Sequence, residues 1–432
     1  MLSLGVKSPL YLGSPAAPSS ALRDSLHICF APYIAKARVI RVHCRKSHPQ
    51  RIQSTQVTMA AAAESPRVVI VGAGVIGTSI AYYLSLRGVA ATVIERASVA
   101  CAASGKAGGF LAVDWCDGSP VGDLARLSYQ LHRDLPSDLE DDIGYRVVCT
   151  IGGNIGKPGK QRRPEGSNYD PAWLDGPVSR LQVMGTEATT AQVHPGKLTQ
   201  GFMKAAQRRG ASLCIGTVTG LDISHNDQAC VEGVMVDGER VAADVVVLAM
   251  GPWTSHAAKW LPVPQVFGQL GNSMILKSHQ PLSAHALYLH GASGEVDIFC
   301  RPDGTAYVCG ENDIINTPED PLDVQPDPAA IKRLKRNAGL VSSALAEAEV
   351  EAEQACLRPT SYSGMPIIGA LPGASGAFIA TGHSCWGILN APATGKAMAE
   401  LILDGQATCV NLSPFDPARL LPLQHRKPKV RG

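Results

Sequence analysis

Between residues 67 and 95 the hydrophobic pattern changes period twice. Val68-Val-Ile-Val71 is an unbroken apolar run of β-favouring residues, the signature of a short strand buried on both faces. A glycine-rich turn follows, and then Ile76, Ile80 and Leu84 recur every fourth residue, which marks one face of a helix. Gly88 supplies a natural stop, and a second strand over 92–95 comes straight after. This order predicts a β-α-β unit whose crossover pairs its two strands in parallel.

Further along, residues 101–113 read as a loop of small residues, and Leu124, Leu127, Leu131 and Leu135 place a helix over 121–135. Residues 152–170, rich in Gly, Pro and Asn, read as a solvated insertion loop; Lys157, Lys160, Arg162 and Arg163 make a phosphate-binding patch the alternative. Helical spacing returns over 198–210, and strands are expected at 213–218, 230–236 and 244–249. From 263 to 312 apolar positions alternate, and 298–310 reads as a hairpin around Pro302-Asp-Gly. An antiparallel substrate domain is therefore expected, closed by a helix near 328–348. From 357 to 405 the chain reverts to strand, glycine turn and helix, with the strand at 377–380 and the helix at 388–403.

The expected fold class is α/β, a Rossmann-type nucleotide-binding domain interleaved with an antiparallel-sheet (α+β) substrate domain. The first would be assembled from 64–150, 196–255 and 353–408, the second from 151–195 and 256–352. Residues 1–63 form an extension and 409–432 a tail.

Composition narrows the field. Apolar residues make up 45% and charged residues 18% of the 432, which excludes global disorder. The net charge of +2 hides an asymmetry, because residues 1–63 hold eight Lys/Arg and one acid, Asp24. Taken from totals of 39 and 37, that leaves 31 basic against 36 acidic residues in the body. An acidic body argues against nucleic acid as its partner. No apolar run approaches the roughly 18 residues of a spanning helix, so no integral membrane segment is expected. The basic extension suits a chloroplast or mitochondrial transit peptide. Alternatively, translation starts at Met59 and the protein is cytoplasmic; the apolar run 28–35 is too short and too distant from the start for secretion. Twelve cysteines without any C-x-x-C argue against a zinc ribbon or a thioredoxin-type site. Lys277, His279, His285 and His290 show no ligand spacing, so no metal is expected.

The glycine turn, Gly72-Ala73-Gly74-Val75-Ile76-Gly77, fits G-x-G-x-x-G. Gly72 permits the tight turn, Gly74 lets a pyrophosphate approach the backbone, and Gly77 allows close packing of strand and helix. Phosphate charge would sit at the helix N-terminus, where free N–H groups and the dipole favour it. Glu95 ends the next strand about 20 residues on, where ribose recognition requires an acid. It favours a cofactor with a free ribose hydroxyl, whereas Arg96 beside it is the type that would take a 2′-phosphate.

That motif does not separate NAD from FAD. The segments Ala103-Ser-Gly-Lys-Ala-Gly-Gly109, Val193-His-Pro195, Ala249-Met-Gly-Pro-Trp253, Leu357-Arg-Pro-Thr360 and Gly382-His-Ser-Cys-Trp-Gly-Ile-Leu-Asn-Ala-Pro392 occur in that order. Together, over roughly 66–405, they resemble the D-amino-acid-oxidase-like family of FAD-dependent oxidoreductases, which includes glycine oxidase and the sarcosine oxidases. The last segment is most similar to a fungal and plant subgroup of that family, one fungal branch of which is linked to endosomal trafficking. The resemblance implies FAD as cofactor, held at its ADP half by residues 72–77 and Glu95. Ser104, Gly105, Lys106, Ala107 and Gly108 would line the pyrophosphate and flavin edge, Val218 would meet adenine through its backbone, and Gly251 would lie by the adenosine. Gly382, His383, Gly387 and Ile388 would lie under the isoalloxazine ring, where N–H groups at a helix start suit the charge of a reduced flavin.

The resemblance also implies substrate-side roles. Arg358 matches the family position that fixes a substrate carboxylate, a task suited to a two-pronged donor; a structural ion pair is the alternative. Cys356 matches the position of covalent flavin attachment in monomeric sarcosine oxidases; a buried free thiol is the alternative. Two positions depart from the pattern: Cys385 stands where glycine oxidase has a second substrate-side Arg, and Ser363 where an Asp is frequent. The function implied is oxidation of a C–N bond in a small amine or amino acid, with oxygen or another acceptor regenerating the flavin. A flavin-binding assembly or trafficking factor with a protein partner, and an NAD enzyme, are the alternatives.

Overall fold

A computed structural model describes residues 65–157, 170–224, 229–292 and 294–420. The extension at 1–63, Lys160, Arg162, Arg163 and the second half of the C-terminal tail, 421–432, lie outside the described residues.

Two sheets organise the molecule. The first has six strands in the order Ile367–Ala370, Ala377–Thr381, Val245–Leu248, Val68–Val71, Thr92–Glu95 and Ser212–Ile215. All neighbours pair in parallel except the first two, and Val69 opposite Thr92 starts the expected β-α-β register. One face is covered by helices Val75–Leu86, Pro195–Arg208 and Gly387–Asp404. The other face, through Val69, Val71, Val246 and Leu248, meets a small antiparallel sheet of Val218–Ser224, Cys230–Val236 and Glu239–Ala242. Cover on both faces explains why these strands read as continuous apolar runs.

The second sheet has seven strands, ordered Glu349–Ser361, Val266–Lys277, Thr305–Ile315, Gly294–Cys300, His285–Gly291, Cys149–Ile155 and Val178–Gly185. Its pairs are antiparallel apart from His285–Gly291 with Cys149–Ile155. Alternation sends Met274, Leu287, Val296, Ile298 and Val308 to one face, against Ile331, Leu334 and Ala338 of helix Pro328–Val341. The opposite face looks toward the first sheet's glycine turn.

Three local expectations are revised. Strand Glu349–Ser361 stays paired with Val266–Lys277 along its length, so a boundary at 352/353 falls inside a strand. Pro359 interrupts nothing, because the strand is at the sheet edge and needs no N–H there. The helix expected over 328–348 breaks at Ser342, which has extended backbone and accepts from the Leu345 N–H to start a second, short helix. The loop 101–113 contains a single helical turn, Ala103–Lys106, and a three-residue strand, Phe110–Ala112, both too short to show a period.

Helix Gly387–Asp404 contains Pro392, which cannot donate to Ile388 O one turn earlier. The missing donor comes from helix Gly122–Asp138. His132 Nε2 lies 3.0 Å from Ile388 O and 3.1 Å from Leu389 O, so that nitrogen carries the proton. Ser128 Oγ accepts from Ala393 N at 3.0 Å on the same side. Burial holds the His132 pKa down, to about 4. Replacing His132 with Ala is expected to cost about 1–3 kcal/mol in chemical denaturation at neutral pH, the penalty of a buried carbonyl without a donor. The folded pKa lies below the unfolded one of about 6.5, so wild-type stability falls as pH drops through this window. A plot of melting temperature against pH should be flatter in the variant.

Candidate active site

A cavity of about 640 Å³ runs from the glycine turn to the polar face of the seven-stranded sheet. Its first part is built from backbone. Gly72 has φ +109°, and a Cβ there would stand 2.5 Å from Ala249 O. A Cβ on Gly77 would overlap Gly72 O, so only glycine lets the helix start this close to the strand. Helix Val75–Leu86 has no side-chain cap at Gly74; the Val75 N–H donates instead to Ser104 Oγ at 2.8 Å. Its positive end therefore faces the cavity. Glu95 is buried and accepts from Ala73 N at 2.9 Å and Ala97 N at 3.0 Å. Arg96 turns outward, to Glu319 O at 2.7 Å and Asp320 at 3.5 Å.

The far part has a second helix start. Gly382 has φ +76° and Ser384 φ +51°, a left-handed turn that leads into Gly387–Asp404, again without a side-chain cap. His383 is buried with Nε2 3.0 Å from Thr394 Oγ1, while Nδ1 has no partner among the described residues. Burial holds its pKa down to about 3, so the ring is neutral. Thr381 Oγ1 donates to Gly251 O at 3.0 Å and ties this turn to the end of the neighbouring strand.

Above this turn stand Asp297, Phe299, Tyr307, Cys309, Cys356 and Arg358 of the large sheet. Phe110, Trp115 and Trp386 complete an aromatic wall; Trp115 lies 4.9 Å from Phe110 and 5.1 Å from Tyr288 between ring centres. A Cβ on Gly108 would run into the Phe299 ring, so this wall leaves no room for a side chain there. Arg358 is half-buried, and its Nε has no hydrogen-bond partner. Among the described residues it forms no direct ion pair; the acid that feels its charge is Asp297, which lines the same cavity. Burial pushes the Cys356 thiol pKa up, which keeps it protonated and weakly nucleophilic. Cys385 is exposed, but to the cavity: protein encloses it, and its thiol is also pushed up by burial.

The sequence-derived site residues thus converge on one cavity. Gly72, Gly74, Val75, Ile76, Glu95, Arg96, Ser104, Ala107, Gly108, Val218, Gly251, Cys356, Arg358, His383, Gly387 and Ile388 line it. Ala73, Gly77, Gly105, Lys106 and Gly382 stand just behind the wall: Gly105 and Gly77 make the close backbone approaches, and Lys106 accepts from Gln354 through its carbonyl. Outside the cavity, Lys277 donates to Asp303 O, His285 pairs with Ser283, and His279 and His290 face surface glutamates. Asp297, Tyr288, Cys309 and the two tryptophans escaped sequence reading. The only available signal was the alternation Glu295-Val-Asp-Ile-Phe299, which gives a polar face without saying that it meets a cavity.

The profile of the FAD dependent oxidoreductase (DAO) family matches residues 67–401, and the chain belongs to that family. A Schizosaccharomyces pombe protein, C1F5.03c, named as a candidate oxidoreductase, is 31% identical over 387 residues, covering 82% of this chain and 98% of its own length. Glycine oxidase of Pseudomonas aeruginosa is 29% identical over 381 residues, covering 82% of this chain and 99% of its own. The crystal structure of glycine oxidase from Bacillus cereus superposes with a TM-score of 0.67 at 26% identity, covering 80% of this chain and 99% of that one. The protein is an FAD-dependent oxidoreductase with the fold of glycine oxidase.

The cavity fits that cofactor. Two open helix starts face it, the glycine cradle excludes side chains, and Glu95 is in place for a ribose. Residues 72–77, Glu95, Ser104, Gly108, Val218 and Gly251 would hold the dinucleotide part, and 382–388 the ring. Replacing Glu95 with Gln removes a charged acceptor; the expected loss is about 1.5–3 kcal/mol, or roughly 10–150-fold in FAD affinity. Flavin fluorescence during titration of FAD into the deflavinated variant measures it.

Proposed function

We propose that this protein oxidises the C–N bond of a small amino acid or a related carboxylated amine. The observation that carries the reading is Arg358, a guanidinium in the cavity wall with an unpartnered Nε and no ion pair among the described residues. Bound FAD supplies the acceptor for the hydride leaving the carbon that bears nitrogen. The chain supplies the rest. Arg358 offers a planar fork to a carboxylate and so fixes which end of the substrate points inward. Phe110, Trp115, Tyr288 and Trp386 exclude water and favour an uncharged amine at the reacting carbon. Neutral His383 lines the cavity without adding charge. The glycine oxidases among its relatives support an amino-acid substrate. The departure at Cys385 implies that a single arginine anchors it here.

The test is the visible spectrum of the FAD-loaded protein, followed anaerobically as amines and amino acids are added. A carboxylated amine should bleach the flavin band, and admitting air should separate oxygen from other acceptors. Arg358→Ala should lower kcat/KM for that substrate by about 10–100-fold, the loss of a charged hydrogen-bonded contact, with much less effect on the corresponding amine without a carboxylate. A flavin that no amine or amino acid bleaches overturns the reading.

A further inference from the structure

The half-buried acid Asp297, whose accessible surface faces the cavity, has no structural task among the described residues. It lies at the middle of strand Gly294–Cys300, opposite Tyr288 on one side and Cys309 on the other. Its neighbours Val296 and Ile298 are fully buried in the apolar core, so alternation turns Asp297 to the opposite face, into the cavity. Among the described residues its carboxylate accepts a side-chain hydrogen bond only from the Cys309 thiol at 3.9 Å, a weak donor. Two other acids of this sheet and its covering helix show the contrast. Asp303 accepts from Thr305 N and Oγ1, and Asp327 caps a helix. Asp297 has neither kind of anchor, and a half-buried carboxylate with so few donors is open to a group that enters the cavity.

We propose that Asp297 is a catalytic proton acceptor: it binds the ammonium group of the substrate and takes from it the proton that must leave before oxidation. This rests on the amine-oxidation reading above and adds to it. Arg358 and Asp297 line one cavity with opposite charge, which is the complement of a zwitterion: a carboxylate at the arginine and an ammonium at the aspartate. The substrate class is therefore an amino acid taken up in its zwitterionic form. In the step itself one N–H bond of the ammonium breaks and one O–H bond forms on Asp297, giving neutral amine and carboxylic acid. No electron is lost. The lone pair left on nitrogen is what forms the C=N bond when hydride leaves carbon.

The surroundings suit an acid that changes state near neutrality. Groups facing it are Tyr288 from one neighbouring strand, Cys309 and Tyr307 from the other, Glu295 on its own strand, Cys356 and Arg358 from the edge strand, and Cys385 from the turn. Burial and Glu295 push its pKa up, Arg358 and the Cys309 contact pull it down, and the balance lies at about 7. Such an acid is free to receive a proton from an ammonium and to return it to solvent within each turnover.

The experiment compares Asp297→Asn with wild type in the FAD-loaded full chain, using whichever amino acid bleaches the flavin. In wild type, kcat/KM should rise through about pH 7 and fall where the substrate ammonium deprotonates. In the variant the limb near pH 7 should vanish, and the rate should rise only as the ammonium loses its proton unaided. At pH 7.5 the loss should reach about 100-fold, the low end for general acid–base catalysis. Binding of a carboxylate lacking nitrogen, read as a shift of the flavin absorbance without turnover, should stay within about threefold, and Asp297→Glu should restore part of the limb. A variant that keeps the limb near pH 7, or that loses the nitrogen-free carboxylate as severely as the substrate, overturns the proposal. Wild type that oxidises no amine overturns the earlier reading and this one together.

Discussion

The contact between helices Val75–Leu86 and Gly387–Asp404 holds the site together. Ser79 Oγ donates to Ala391 O at 2.9 Å, and a Cβ on Gly395 would lie 2.8 Å from the Ser79 backbone. Two backbones can come this close only where side chains are missing or tiny. Each helix follows a strand of the six-stranded sheet, and the residue before each, Gly74 or Trp386, gives it no side-chain cap. Locking them side by side aims two positive helix ends into one cavity. A cofactor with a diphosphate at one end and an electron-accepting ring at the other then meets favourable potential at both.

The seven-stranded sheet solves a different problem. Its helix-covered face supplies core, and its other face carries the polar and aromatic groups that line the cavity. Strict alternation makes both possible in one strand, as Val296, Asp297, Ile298 and Phe299 show. The cost is electrostatic. Asp297, Arg358 and His383 sit where water is scarce, and each departs from what a surface residue would show: a raised acid, a guanidinium nitrogen without a partner, an imidazole kept neutral. Such departures gather where a pocket must handle charge.

Much of this was legible in the sequence, for physical reasons. The β-α-β unit announces itself because its strand is buried on both faces and its helix on one, so the period of the apolar residues switches sharply. The glycine turns are legible because backbone crowding admits no other residue. Arg358 and His383 were found through the family pattern rather than through any local signal. What could not be read depends on distance in the chain. Asp297 looks like one polar residue of an alternating strand, and nothing nearby says whether that face meets water or a cavity. Trp115 and Trp386 reach the wall from segments 271 residues apart, and meet at 6.3 Å between ring centres. The break at Ser342 and the one-turn helix at 103–106 fall below the length at which periodicity speaks.

The order of the strands also bears on how the chain is made. Strand Ala377–Thr381 pairs inside the parallel sheet with Val245–Leu248, and helix Gly387–Asp404 covers the first helix. The opening β-α-β unit therefore waits on partners synthesised some 300 residues later. Until residue 404 has left the ribosome, Val245–Leu248 keeps an unpaired edge and the first helix an uncovered apolar flank. Segments exposed in this way are what chaperones recognise and what aggregates form from. The cavity is therefore closed by the part of the chain that is made late, and its first-made elements cannot form it without their late partners.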